Sequence, residues 1–194
     1  MKAVKELPVG YKEIYSIDLQ KDKKASLLVN VLALIIAVLL IVPMHFVVPI
    51  FSIFHDSIFN ADKGDIIRLV SLAILLVIYM VLHELVHGIA MKSCGTKKVK
   101  YGFTGLYAFA GSDDYYDKKS YIYIALAPIV LWGILIAIIN PFVPVEWFWV
   151  VYMIQVANLS GAAGDLFVTV KFSRFPKDIL IKDYGIGMIV FSKE

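Results

Sequence analysis

Cysteine is nearly absent. Cys94 stands alone among 194 residues, which excludes an internal disulfide framework and a cysteine-rich metal site. The short polar–apolar alternation of a membrane β-barrel strand is missing as well. No A-x-A-like site follows the first apolar run, so no cleavable signal peptide is expected. No internal repeat is visible, which argues against a transporter assembled from related halves. The net charge of +3 is small, and no nucleic-acid partner is expected.

What the chain has in abundance is apolar sequence. It is 60% hydrophobic with a mean hydropathy of +0.77, too apolar for an ordinary soluble domain. Four blocks reach the roughly 20 residues needed to cross a bilayer, at about 27–51, 66–91, 121–139 and 147–170. Pro43 and Pro49 fall late in the first block, and Pro128 falls inside the third as a tolerated kink. Asn140-Pro141 closes the third, and Trp147 and Trp149 open the fourth as interfacial aromatics. The expected fold is an all-α membrane protein of four transmembrane helices. It is divided into an N-terminal arm (1–26), a membrane domain (27–170) and a C-terminal tail (171–194).

Basic residues give the orientation. Six lysines precede the first block, six lie in 92–120, and four with Arg174 follow residue 170. The 52–65 segment has only Lys63, and 140–146 has none. The positive-inside rule then places both termini and the 92–120 loop in the cytoplasm of a multi-pass cell-membrane protein surrounded by lipid.

Of sixteen acidic residues, only Glu84 and Asp165 fall well inside an apolar block, and intramembrane ionisable groups are functional candidates. Glu84 belongs to His83-Glu84-Leu85-Val86-His87, an HExxH pattern. On a helix, positions i and i+4 share a face, so His83 and His87 can grip one zinc ion. Glu84 then lies near the water such a zinc activates and can serve as general base. Spans two and four run the same way. Residue 66 to His83 and residue 147 to Asp165 are near-equal intervals, about 25–27 Å at 1.5 Å per residue. Asp165 is therefore the best third ligand, ahead of Asp113, Asp114 and Asp117 in the cytoplasmic loop. His45 and His55 lie towards the outer side and read as structural. Asn158, Gly161, Ala162 and Asp165 line one helical face, where small residues allow close helix approach. Asn158 on that face could orient a ligand or bind substrate backbone.

The stretches "HELVHG", "VKYGFTGLYAFAGSDDYY", "YIYIALAP", "NLSGAAGDLF" and "FPKDILIKDYGIG" resemble a family of small bacterial four-span proteins, the putative zincin peptidases. The arrangement is similar to site-2 protease-type intramembrane zinc metalloproteases. The resemblance implies His83, His87 and Asp165 as zinc ligands, and Glu84 as catalytic acid/base. One departure is local: site-2 proteases usually place a glycine after the aspartate, whereas here Gly164 precedes Asp165 and Leu166 follows it.

The 98–116 stretch is punctuated by Gly102, Gly105 and Gly111, like a short glycine-rich hairpin or reentrant loop on the cytoplasmic side. An extended peptide or membrane-protein substrate could add to it as a strand, which makes Gly102, Phe103 and Gly105 candidate substrate contacts. The expected function is a zinc-dependent membrane-embedded peptidase acting near the cytoplasmic face. The alternative is a non-catalytic metal-binding membrane protein, a transporter or an interaction partner.

Overall fold

Helix starts are set by aspartates. The Asp22 carboxylate accepts the N–H groups of Lys24 and Ala25, each at 3.0 Å, and helix α1 begins at once as Lys23–Val47. Asp62 and Asp65 bond each other's backbone N–H at 2.8 and 2.9 Å, opening α2 as Lys63–Ser93. Asp117 accepts the Ser120 N–H at 2.8 Å at the head of α3, Lys118–Ile139. Such side-chain acceptors satisfy N–H groups that have no partner in the first turn. The computed structural model describes residues 3–54, 62–105 and 107–193; His55 lies outside them.

The first block ends earlier than hydropathy predicts. α1 stops at Val47, short of Pro49, because a proline disfavours the helical conformation of the residue before it. The freed carbonyls of Val48 and Pro49 accept the Trp149 indole N–H at 3.1 and 3.0 Å. Trp149 is thus a buried peg, not the interfacial residue its position suggested.

The fourth block is two helices. α4 spans Val145–Gly161 and α5 spans Ala163–Ser173, separated at Ala162, whose φ of −85° and ψ of 18° leave the helical basin. The sequence reading assumed one continuous helix there. Counting across the break, four helical segments are long and apolar enough to cross a membrane: Lys23–Val47, Lys63–Ser93, Lys118–Phe142 and Val145–Ser173. Large apolar side chains such as Leu39, Phe46, Val77 and Ile138 stay exposed on them, as lipid-facing residues should.

The all-α expectation needs correction, because two small sheets accompany the helices. The predicted hairpin is present: β2 (Lys100–Phe103) pairs antiparallel with β3 (Ala108–Gly111). A four-stranded antiparallel sheet has the order β1-β6-β5-β4, from Tyr11–Asp18, Gly187–Lys193, Leu180–Asp183 and Tyr115–Asp117. The N-terminal segment therefore contains a strand paired with the C-terminal one.

The chain divides into two units. One takes in residues up to Asn30, Val81–Pro128 and the chain from Gly164 onward; the other is Val31–Met80 with Ile129–Ala163. The first has a core of Met91, Tyr116, Ile124, Phe172, Ile181 and Val190. The second is centred on Trp149, Val150 and Tyr152, with the Tyr152 hydroxyl donating to the Leu40 carbonyl at 3.1 Å. Also in the second, Arg68 pairs with Asp65 and donates to the Ile53 carbonyl at 2.7 Å.

Candidate metal centre

All four residues singled out in the apolar blocks lie in the first unit. His83 and His87 leave α2 on one face, one turn apart, and both are buried. Their rings are 4.9 Å apart at 75°. Asp165 arrives from the first turn of α5, where the break at Ala162 has started a new helix whose N-terminal dipole favours a carboxylate. Asp165 Oδ2 lies 3.6 Å from His83 Nε2 and 3.6 Å from His87 Nε2. One ligand atom from each of the three lies within 4.8 Å of the others.

At 3.6 Å each imidazole, when protonated, is within ion-pair reach of the carboxylate. His87 Nδ1 is 2.9 Å from the Ile124 carbonyl oxygen. A carbonyl only accepts, so Nδ1–H donates to it and Nε2 faces Asp165. A cation, either a proton on Nε2 or a metal ion, suits the space between that nitrogen and the carboxylate oxygen. Two imidazole nitrogens and one carboxylate oxygen are the donor set of a catalytic zinc site with its fourth position left open. The residues fit the metal.

Glu84 follows His83 and is half-buried. Its carboxylate faces the backbone N–H of Ala110 in β3, so the hairpin borders the cluster. Tyr101 of β2 packs its hydroxyl where a Cβ on Gly88 would sit.

The other candidates lie elsewhere. Asp113 pairs with Lys100 at 2.7 Å, and that hydrogen bond lowers its pKa. Asp114 pairs with Lys5 at 2.8 Å, and Asp117 is spent as the cap of α3. None of the three joins the metal-ligand group. His45 Nδ1 accepts the Ile50 N–H at 3.0 Å. Asn158 belongs to the second unit, fully buried. Its Oδ1 accepts the Tyr79 hydroxyl at 2.8 Å and its Nδ2 donates to the Ile129 carbonyl at 3.1 Å. Gly102 makes room for the Phe109 ring, and Gly105 holds a φ of +93° in the hairpin turn. Phe103 is 60% exposed.

Two residues near the cluster escaped the sequence reading. The Tyr121 hydroxyl, in the first turns of α3, donates to Asp183 Oδ2 at 3.1 Å. Asp183 Oδ1 accepts the Gly185 N–H at 2.9 Å, and its carbonyl accepts the Ser112 N–H at 2.7 Å, just past β3. Burial pushes the Asp183 carboxyl up to about 6, against the opposing pull of the Gly185 N–H, the Tyr121 hydroxyl and His87. The "DYG" of the tail signals a turn; nothing local says which helix that turn meets.

A helical HExxH with a distant acid defines a zincin-type centre. A family model described as "Putative zincin peptidase" matches residues 76–180, more than half of the chain, and the chain belongs to that family. It is also similar to a protein of Pyrococcus woesei named "Uncharacterized 24.7 kDa protein in gap 5'region", 28% identical over 137 residues. That alignment covers 68% of this chain and 59% of the relative, so the chain spans about three fifths of the relative's length. No solved structure matches.

Proposed function

We propose that the protein is a membrane-embedded zinc peptidase of site-2 protease type, cleaving a peptide or membrane-protein substrate near the cytoplasmic membrane face. Its termini lie inside the cell by the distribution of lysine and arginine. The observation that carries the reading is the convergence of His83 Nε2, His87 Nε2 and Asp165 Oδ2, with one ligand atom of each within 4.8 Å of the others. Family membership supports it.

Zinc, when bound, lowers the pKa of a coordinated water towards 7 and polarises a carbonyl. His83, His87 and Asp165 would hold it. Glu84 takes a proton from the attacking water as the new C–O bond forms. It returns that proton to the leaving nitrogen as the C–N bond breaks. The Ala110 N–H of β3 faces the Glu84 carboxylate. A substrate drawn out as a strand along β3 would bring its scissile carbonyl to Glu84 with backbone hydrogen bonds supplying register.

Two measurements test the reading. Purified wild-type protein should contain about one zinc per chain, and His83→Ala and Asp165→Ala should not retain it; wild type without metal, or an Asp165→Ala variant that keeps it, overturns the ligand set. Glu84→Gln should keep zinc while cleavage falls by about 10²–10⁴-fold, the usual worth of a general base. A Glu84→Gln variant with undiminished function favours the non-catalytic metal-binding alternative.

A further inference from the structure

The Ile124 carbonyl that orients His87 is open to it for a reason written in the sequence. In an α-helix the carbonyl of residue 124 accepts the N–H of residue 128. Residue 128 of α3 is proline, which has no N–H to give. Ile124 and Pro128 are both fully buried, so water cannot replace the missing donor. His87 Nδ1 stands 2.9 Å from that oxygen. A second-shell carbonyl of this kind selects the tautomer and fixes the ring of a metal-binding histidine.

We propose that Pro128 is a positioning residue of the metal centre: by withholding the helical hydrogen bond from the Ile124 carbonyl, it reserves that acceptor for His87 Nδ1–H and so turns Nε2 towards Asp165. The inference rests on the metal-centre reading above. It differs from a simple kink, which would bend α3 and leave the histidine's tautomer to other groups. In Pro128→Ala the restored N–H competes for the Ile124 carbonyl along the helix axis. Pro43 in α1 provides a control of the same chemical kind in a helix that contributes no ligand.

The test uses the full chain in detergent as wild type, Pro128→Ala and Pro43→Ala. Zinc affinity is measured by competition with a chelator, and the visible absorption of the cobalt-substituted protein reports ligand geometry. Pro128→Ala should bind zinc about ten- to a hundredfold more weakly, as loss of second-shell support does elsewhere, and should shift the cobalt absorption band. Pro43→Ala should change neither. Wild-type affinity and spectrum in Pro128→Ala overturn the proposal, as does an equal effect of Pro43→Ala. Should Pro128→Ala fail to fold, nitrogen-15 spectra of histidine-labelled, zinc-loaded wild type decide: His87 should be protonated at Nδ1, and protonation at Nε2 overturns the proposal. Wild type that binds neither zinc nor cobalt overturns the metal-centre reading itself, and this inference with it.

Discussion

Two aspartates occupy the first turn of a helix, Asp65 in α2 and Asp165 in α5, and they are spent in opposite ways. Asp65 is fully buried and saturated: Arg68 pairs with one oxygen, and the Asp62 N–H donates to the other at 2.9 Å. Asp165 instead faces two imidazole nitrogens, each 3.6 Å away. Asn158 follows the first pattern, with both ends of its amide engaged. A polar group inside an apolar span is therefore not functional merely by being there. Burial with every partner supplied builds the fold, whereas a carboxylate converging with two imidazole nitrogens offers a cation site.

The contrast breaks most visibly at Asp165. Asp165→Ala should abolish stoichiometric zinc yet lower the thermal stability of the metal-free protein only modestly, because the carboxylate faces two imidazoles and is partly exposed. A large fall in metal-free stability would put Asp165 in the same class as Asp65. Arg68→Leu should do the reverse. It strands the buried Asp65 carboxylate and costs about 3–5 kcal/mol of stability, while zinc per folded chain stays at the wild-type value. Thermal melts paired with metal analysis of the soluble fraction check both halves.

Local signals carried most of what the sequence disclosed. HExxH is legible because i, i+4 is a property of one helix, and the four apolar blocks are legible because a bilayer demands length. Their ends were misplaced by a few residues because hydropathy ignores caps: Asp22, Asp62 and Asp117 start helices among polar neighbours. Gly161 and Ala162, expected to allow close helix approach, sit where the helix breaks, and glycine weakens a helix interior. The pairing of β1 with β6, Tyr11 against Lys193, joins the two ends of the chain, and no local pattern encodes such a register. The same limit hid Asp183, which meets Tyr121 across 62 positions. Pro128 was expected to be tolerated inside the third block, and α3 runs through it. Its further consequence for Ile124 emerges only once His87 is seen beside that carbonyl.

Asp183 stands between the two extremes and yields the smallest expected effect. It has donors, in Tyr121 and the Gly185 N–H, but no lysine or arginine pairs with it among the described residues. Its folded pKa of about 6 lies above the usual value near 3.8, so the folded protein holds this proton more tightly than the unfolded chain does. The resulting stabilisation is fully present below about pH 4 and is lost as pH rises through about 6, and amounts to roughly 2–3 kcal/mol. Asp183→Asn keeps an acceptor for Tyr121 and cannot ionise, so its stability should be flat over that window. Melting the metal-free wild type and variant at a series of pH values should show wild type losing ground to Asp183→Asn between about pH 4 and pH 7. A constant difference across the series would mean that this carboxyl is matched by a cation, as Asp65 is, and would move it to the saturated side of the comparison.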